Sequence, residues 1–394
     1  MKKYFLTVVL ALLPFVAGAQ NGPVSAKIVC GPYLQNVTSD SFTVMWITDV
    51  DAVGWVEIAP DDKENFYYRE RPKYYDERGC GLKPIGKIHK VRIDGLKPGT
   101  SYRYRVMMTA VQDYYRNTSP VYGKASGAPA YNVNLPKART LDEDYKEVRF
   151  AVVNDIHAKD SLLRRLFADK EKNKEFDFVL FNGDMTSDIS YSDKIVRHYL
   201  KPAGELFADE TPLFMSRGNH EYRGKDALRL TDYFDFPAHG PYYTFKYGRF
   251  FFLVLDSGED KVDNDIENQG RLCTEPYLDK ESEWLKSVVE SEDWKTAEKR
   301  IVFSHIPPQI ENAWHGNLNL SRKFLPILNG AGVDLMLCGH VHRYSFREVG
   351  STDASFPVIT NAQHQRMEIT ASAGKISVRI YDTDGKLTHS ADIK

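Results

Sequence analysis

Residues 333–342 read VDLMLCGHVH, an apolar run followed by a glycine and two closely spaced histidines. The apolar part is typical of a buried strand, and it ends where Gly339 precedes His340 and His342. On a strand, side chains two residues apart point to the same side of the sheet. Both imidazoles are therefore expected to point to the same side of the sheet. Whether they form a functional site depends on other residues of the chain that lie beside them.

Four other apolar stretches end in residues of the types that bind metals. They are VRFAVVNDIH (148–157), FDFVLFNGD (176–184), TPLFMSRGNHE (211–221) and KRIVFSHIPP (299–308). Helical patterns separate some of them, for example KDSLLRRLFADKEKNKEF (159–176), which predicts a helix. Alternating strands and helices predict an α/β domain, and open α/β sheets build their sites at the carboxyl ends of strands.

The residue types at these strand ends suit a pair of transition-metal ions. Two cations that lie close together repel each other, so a shared carboxylate is needed, and Asp184 from the middle strand fits that place. Carboxylates and imidazoles together favour Mn, Fe, Zn or Co over Ca or Mg. Asn219 offers a neutral oxygen, which leaves room for an anionic substrate. Metal pairs about 3.5–4 Å apart promote in-line displacement at phosphorus.

The order DxH…GD…GNHE…H…GHxH resembles the calcineurin-like metallophosphoesterase superfamily, and the motifs span nearly all of residues 148–345. The resemblance implies seven metal ligands: Asp155, His157 and His342 for one ion, Asn219, His305 and His340 for the other, and Asp184 as the bridge. We therefore expect two divalent transition-metal ions, Mn, Fe or Zn, with their identity left open.

The same resemblance implies catalytic and substrate-binding roles beside the metals. His220 is expected to bond a phosphoryl oxygen and to protonate the departing alkoxide, while Glu221 orients it. A hydroxide that bridges the metals would be the nucleophile. Candidate substrate-binding residues are Asn219, Arg217 beside the GNHE motif, and His315 in HIPPQIENAWHGN. The alternatives are a surface arginine and an exposed loop histidine.

The N-terminal part of the chain has the alternating pattern of β-strands, as in SFTVMWIT (41–48). GLKPGTSY (95–102) matches the corner of β-sandwiches in which a tyrosine hydroxyl bonds back to the chain. This part resembles a fibronectin type III domain, and GPYLQNVTSDSFTVMWIT (31–48) resembles the N-terminal domain of purple acid phosphatases. We expect an all-β sandwich at 20–125, a linker at 126–146, and an α/β metallophosphoesterase domain, a β-sandwich of mixed sheets flanked by helices, at 147–394.

Two positions depart from the purple acid phosphatase pattern. That family has a glycine where this chain has His157, and a metal-binding tyrosine three residues after the bridging aspartate, where this chain has Ser187. The tyrosine–iron bond gives those enzymes their colour, so we do not expect a purple protein. The departures favour Mn(II), Fe(II) or Zn(II) pairs over a pair that contains Fe(III).

The first residues, MKKYFLTVVLALLPFVAGAQ, have the order of a secretory signal peptide. Two lysines precede an apolar run that is shorter than the ~20 residues of a membrane span and that ends before Ala17-Gly18-Ala19. We expect cleavage near Ala19 and an exported protein, periplasmic or extracellular, without a transmembrane segment. Whether Cys30 and Cys80 form a disulfide is left open.

The overall charge gives no reason to expect a standing nucleic-acid or membrane partner. The 394-residue chain is 42% hydrophobic and 27% charged, with a formal net charge of −2. We expect an exported binuclear-metal phosphoesterase that acts on small-molecule phosphate esters, first of all a phosphomonoesterase. A phosphodiesterase of nucleotides, nucleic acid or glycerophosphodiesters is one alternative, and an inactive surface binding protein is another. Oligomeric state is not predicted.

Overall fold

The computed structural model describes residues 22–67, 69–142, 144–308 and 313–394, so the predicted signal peptide lies outside the described residues. The described strands form one seven-stranded sheet and two six-stranded sheets. The seven-stranded sheet belongs to the N-terminal part of the chain, and the other two follow it. This is the predicted order of an all-β part followed by an α/β part.

The N-terminal sheet is built on two long antiparallel strands. Its strands are β1 (Ile28–Gln35), β2 (Phe42–Pro60), β3 (Lys73–Tyr75), β4 (Gly86–Ile93), β5 (Ser101–Tyr115), β6 (Ser119–Gly127) and β7 (Lys137–Arg139). β2 pairs with β1, β3, β4 and β5, and β5 also pairs with β6 and β7. The Tyr102 hydroxyl accepts the N–H of Lys97 at 3.0 Å, as the corner motif predicts. β7 lies in the predicted linker, so part of that stretch is a sheet strand.

Two mixed sheets make up the rest of the fold. The first has the order β10-β9-β8-β17-β18-β19, with β8 (Glu147–Val153), β9 (Phe178–Asn182), β10 (Leu213–Ser216), β17 (Gln365–Ser372), β18 (Lys375–Asp382) and β19 (Leu387–Ile393). The second has the order β11-β12-β13-β14-β16-β15, with β11 (Tyr243–Tyr247), β12 (Phe250–Val254), β13 (Lys299–Phe303), β14 (Leu335–Cys338), β15 (Ser345–Arg347) and β16 (Val358–Thr360). In each sheet the strands that precede the site are parallel.

Helices connect the parallel strands and cover the outer faces of the two sheets. They are α1 (Asp160–Leu166), α2 (Lys170–Asn173), α3 (Asp193–Ile195), α4 (Lys201–Leu206), α5 (Thr274–Val289), α6 (Glu292–Lys295), α7 (His315–Lys323) and α8 (Leu325–Leu328). A π-helical segment, Val196–Leu200, joins α3 to α4. No helix within the described ranges has the length and apolarity to cross a membrane.

The core explains why the strands are apolar on both faces. Phe150 of β8 packs edge-on against Phe252 and Phe303 of the other sheet, with ring centroids 5.5 Å and 5.9 Å away. Its neighbours Ala151 and Val153 belong to a different buried cluster, which includes residues of α1 and α4. Strands that are covered on both sides lose the alternating pattern and appear as continuous apolar runs.

The predicted helix over 159–176 is two helices, α1 and α2. The Asp169 side chain lies between them and accepts the N–H of Lys172 at 3.1 Å, which starts α2 anew. An aspartate competes with the helix backbone for N–H donors and favours such caps. The four cysteines are free thiols, with Cys30 buried and Cys80 exposed, so the structure contains no Cys30–Cys80 disulfide.

Candidate active site

The turns after five strands bring the predicted metal ligands together at one edge of the two sheets. Asp155 and His157 follow β8, Asp184 follows β9, Asn219 follows β10, His305 follows β13, and His340 and His342 follow β14. In the described residues, three groups have ligand atoms that all lie within 4.8 Å of one another: Asp155, His157 and His342; Asp184, His305 and His340; and His157, Asp184 and His220. The first two groups match the predicted division between two ions.

Five of these residues have a left-handed backbone, which is uncommon for residues other than glycine. The φ angles lie between 49° and 71° for Asp155, His157, Asp184, His340 and His342. The strand β14 ends at Cys338, so the prediction that both histidines lie on a strand is wrong. Each left-handed residue costs about 1–3 kcal/mol and persists where the surrounding structure enforces it, commonly at functional sites.

Two glycines allow the turns to approach each other closely. A Cβ on Gly218 would lie 2.3 Å from Asp184 Oδ1 and 2.5 Å from the Asp184 backbone nitrogen. Gly183 has φ +84°, and a Cβ there would lie 2.4 Å from the His305 ring. Both positions therefore require glycine for steric reasons.

One group of ligand atoms surrounds Asp155 Oδ1. This oxygen lies 3.1 Å from His342 Nε2 and 3.7 Å from His157 Nε2, and the two ring nitrogens are 3.1 Å apart. The other oxygen, Oδ2, accepts hydrogen bonds from Asn154 and from the His340 N–H. Among the described residues, no donor reaches the buried Oδ1 in hydrogen-bond geometry. A cation held by these three atoms would satisfy it, so the residues fit a metal here.

A second group surrounds Asp184 Oδ2. His305 Nε2 lies 3.1 Å from it, and one end of the Asn219 carboxamide lies 3.1 Å to 3.3 Å from Asp184 Oδ2, His305 Nε2 and His340 Nδ1. His305 Nδ1 donates to the Asn182 carbonyl oxygen at 2.7 Å, which directs Nε2 toward this centre. The side-chain oxygen of Asn219 points at these three ligand atoms, and a cation bound between them would make that orientation favourable. The mixture of imidazole, carboxylate and amide oxygen again suits a transition metal.

Without a metal, Asp184 and His305 form a buried ion pair. Burial lowers the pKa of His305, but the negative charge of Asp184 outweighs it and raises this pKa to about 10. Burial likewise opposes the ionised form of Asp184, yet His305 holds the pKa of this carboxyl below its usual range. A metal that binds here has to displace the proton on His305, so metal binding releases protons.

His220 lies beside this centre with its ring facing the cleft. Its Nδ1 donates to the Ser187 carbonyl oxygen at 2.7 Å, and its backbone N–H donates to Asp184 Oδ1 at 2.9 Å. Its Nε2 lies 3.8 Å from Asp184 Oδ2 and 3.2 Å from a guanidinium nitrogen of Arg223. The hydrogen bond to Ser187 fixes the proton on Nδ1, so Nε2 is an acceptor that faces the cleft and receives a hydrogen bond from Arg223.

Glu221 does not orient the His220 ring as predicted. One oxygen accepts the N–H groups of Asp184 and Gly218 at 2.8 Å and 2.9 Å, and the other accepts Met185 at 2.9 Å. Burial, followed by the charge of Asp184, raises the pKa of Glu221 to about 7. The physical reason for the different role is that a fully buried carboxylate needs several donors, and the adjacent turns supply backbone N–H groups.

Arg217 is also not where the prediction places it. Its guanidinium donates to Asp256 at 2.8 Å and to the Tyr222 hydroxyl at 2.6 Å, and it lies over the Tyr222 ring. These contacts bury it in a structural cluster. Arg223, which the sequence reasoning missed, lines the cleft instead and pairs with Glu259 and Asp260. Its only sequence signal is its place one helical turn after His220.

His315 lines the cleft at the start of α7, but its Nε2 lies 2.5 Å from Glu275 and 2.9 Å from Asn319. Its predicted contact with substrate stays a prediction. The cleft has a volume of about 1150 Å³. Besides Asp184, His220 and the two histidines of the GHxH motif, its lining includes the cationic side chains of Arg223, Lys261, Arg343 and Arg347.

Two protein-family models match the chain. The model described as calcineurin-like phosphoesterase matches residues 148–344, and the model described as purple acid phosphatase, N-terminal domain, matches residues 31–123. Purple acid phosphatase 21 of Arabidopsis thaliana is 24% identical over 294 residues, which are 70% of this chain and 59% of that protein. Purple acid phosphatase 22 of the same plant is 23% identical over 312 residues, or 73% and 62%. The chain thus spans about three fifths of the length of these relatives.

Solved structures show the same fold at low sequence identity. Purple acid phosphatase PPD1 from yellow lupin seeds matches with a TM-score of 0.61 and 15% identity, over 92% of this chain and 73% of that one. The structure of PhoD matches with a TM-score of 0.58 and 14% identity, over 91% of each chain.

Proposed function

The chain belongs to the calcineurin-like phosphoesterase family, and on that premise we propose that it is an exported phosphomonoesterase with two metal ions at the strand-end site. Its relatives make it a metal-dependent phosphoric ester hydrolase with a purple acid phosphatase N-terminal domain. The observation that carries the proposal is the pair of neighbouring ligand groups, Asp155 with His157 and His342, and Asp184 with His305 and His340, with His220 grouped beside His157 and Asp184.

In this proposal Asp155, His157 and His342 hold one ion, and Asn219, His305 and His340 hold the other, with Asp184 in contact with both. When bound, the ions supply Lewis acidity, which polarises the phosphoryl oxygens and activates a water molecule. The chain itself fixes where the phosphoryl group lies. It does so through the left-handed turns that direct these side chains to one centre.

His220 serves as the general acid. With its Nδ1 proton bonded to the Ser187 carbonyl, a protonated imidazole presents its Nε2 proton to the cleft. As the oxygen of the activated water forms a bond to phosphorus and the bond between phosphorus and the ester oxygen breaks, Nε2 donates this proton to the leaving oxygen, which departs as an alcohol. Arg223 donates to Nε2 at 3.2 Å while His220 is neutral, and in this proposal its guanidinium turns to the phosphoryl oxygens when Nε2 carries the proton.

The monoester is favoured over the diester by the charge of the cleft. A phosphate monoester carries a second negative charge, and besides the metal ligand Asp184 the lining has four cationic side chains, Arg223, Lys261, Arg343 and Arg347, against two carboxylates, Asp260 and Asp265. The cleft volume of about 1150 Å³ also has room for a diester, which makes phosphodiesterase activity the second candidate. Export rests on the charged, apolar and small-residue order that ends at Ala19. N-terminal sequencing of the protein from the culture supernatant or periplasm tests it.

The decisive experiment compares p-nitrophenyl phosphate with bis(p-nitrophenyl) phosphate as substrates of the Mn(II)-reconstituted protein. We expect a higher kcat/KM for the monoester, and loss of activity on chelation with recovery on return of Mn(II). His220→Ala should lower kcat by about 10²–10⁴-fold while metal content stays the same, because it removes only a proton donor. His198→Ala, a histidine between α3 and α4, is the matched control and should retain activity. Preference for the diester would contradict the proposal.

A further inference from the structure

Trp314 is a large apolar side chain left open to solvent beside the catalytic centre. It lines the cleft, and 59% of its surface is exposed. Its ring stands perpendicular to the imidazole of His340, with the two centroids 5.7 Å apart. A tryptophan buries more apolar area than most residues when it finds a partner, and this one lies in the cleft lining, where a bound ligand would cover it.

The backbone under Trp314 is held firmly although the ring is exposed. The Trp314 N–H donates to Asn317 Oδ1 at 3.1 Å, and the buried Asn317 amide donates to the Pro307 carbonyl at 2.8 Å. Gly316 donates to the Asp260 carbonyl, and a Cβ on Gly316 would lie 2.7 Å from Ile306. The start of α7 is therefore packed tightly against the loop after β12, so the indole has a fixed base.

The other aromatic side chain of the described cleft lining is less available. Tyr344 is stacked on His389 with ring centroids 3.8 Å apart and an interplanar angle of 9°, so one face is already covered. Trp314 contacts the His340 ring with its own ring at 88°, which leaves an indole face open. Because His340 is one of the predicted metal ligands, a group that stacks on this face lies next to the metal-ligand centre.

Resting on the proposed function, we propose that Trp314 is a stacking surface for the leaving group, and that the preferred substrates are phosphomonoesters that carry a flat aromatic ring, such as nucleoside monophosphates. Stacking on an aromatic side chain tolerates different bases, because each base has a π-face.

The test compares adenosine 5′-monophosphate with glycerol 3-phosphate, since both release an alkyl alcohol of similar reactivity. The readout is the ratio of kcat/KM for the two substrates. Trp314→Ala should lower this ratio by roughly tenfold, whereas Trp314→Phe should retain most of it. Tyr131→Ala, another exposed aromatic residue outside the cleft, is the matched control and should leave both values unchanged. An unchanged ratio in Trp314→Ala overturns the proposal.

A binding measurement separates this proposal from the proposed function. Calorimetry on Mn(II)-loaded His220→Ala protein should show tighter binding of adenosine 5′-monophosphate than of glycerol 3-phosphate, and Trp314→Ala in that background should abolish the difference. If the wild-type protein hydrolyses neither ester but shows this preference, the proposed function fails and the stacking surface stands. Equal binding of the two compounds overturns the stacking surface, even where hydrolysis is found.

Discussion

Single residues at the site are held by the polypeptide backbone as much as by other side chains. Glu221 ties the turn after β9 to the turn after β10, because its two oxygens accept N–H groups from both. The Asp155 turn has a similar support, in which Asn361 donates to Asn154 and Asn154 donates to Asp155. Residues that hydrogen-bond to a metal ligand or to its turn orient that ligand, so substitutions of such residues are expected to change the metal affinity.

Glu221→Gln tests the support under Asp184. The amide replaces one acceptor oxygen with a donor that faces backbone N–H groups, and each buried donor left without a partner costs about 1–3 kcal/mol. We expect the free energy of unfolding in urea to fall by about 2–4 kcal/mol, and the metal content after dialysis to fall with it. Glu290→Gln, at the exposed end of α5, is the control. Unchanged stability and metal content would contradict the role.

At the level of elements, the pairing of β2 with β4 places an ionisable ring inside the N-terminal sheet. His89 of β4 is stacked on Trp46 of β2 with centroids 4.8 Å apart, and its Nε2 lies 3.1 Å from the Thr48 hydroxyl. Burial lowers the pKa of His89 to about 4, although Asp76 opposes the shift. The folded protein therefore keeps this histidine neutral at pH values where the unfolded chain protonates it.

This burial predicts acid sensitivity between pH 6.5 and 4. In that window the unfolded chain binds a proton that the folded chain does not, so the free energy of unfolding falls as pH falls, by at most about 3 kcal/mol. Urea unfolding of wild type and His89→Gln at pH 7 and pH 4.5 measures this. The variant should lose part of the pH dependence, while His198→Gln should keep most of it. If the free energy of unfolding changes equally with pH in His89→Gln and in wild type, His89 is not the source of the acid sensitivity.

The sequence predicts the elements that are buried on both faces better than it predicts the turns between them. The five strands before the site are recognisable because continuous apolar runs end abruptly in Asp, Asn or His. The left-handed backbone of Asp155 and His340 leaves no such trace, since it is imposed by the meeting of distant turns. For the same reason Arg217 and Arg223 could not be told apart, because the partner that buries Arg217 is Asp256, distant in the chain.

For the whole molecule, the N-terminal sheet and the metal-site sheets are joined by shared cores. One buried cluster contains Trp46 of the first sheet and Phe150 of the second. Another contains Tyr33 of β1 together with residues of α4, and the Tyr33 hydroxyl donates to the Tyr233 carbonyl at 2.9 Å. The two parts of the chain therefore share their buried cores. The domain limits of 20–125 and 147–394 remain a prediction.

A polar anchor fixes this interface at Asp235, in the segment before β11. Its carboxylate accepts hydrogen bonds from Lys90 at 2.7 Å and Thr43 at 2.9 Å, both in the N-terminal sheet, and from Asn36, directly after β1, at 2.8 Å. Burial opposes ionisation of Asp235, but the bonds from Lys90 and its neighbours outweigh this and lower its pKa. A carboxyl with a lowered pKa stabilises the fold above its unfolded pKa, and this contribution is lost as pH falls through the folded value.

Asp235→Ala should uncouple the two parts of the molecule. The variant leaves the ammonium of Lys90, which is about one-fifth exposed, without its partner, and such a loss destabilises by about 2–4 kcal/mol. We expect the calorimetric transition to broaden or split, because the N-terminal sheet then unfolds with less support from the metal-site sheets.

The double variant Lys90→Met with Asp235→Leu should recover much of the stability, since an apolar pair needs no compensating charge. Asp384→Ala, which removes the exposed ion pair with Arg165, should leave the transition unchanged. A single sharp transition in Asp235→Ala, at the wild-type temperature, would show that the shared apolar core alone couples the two parts.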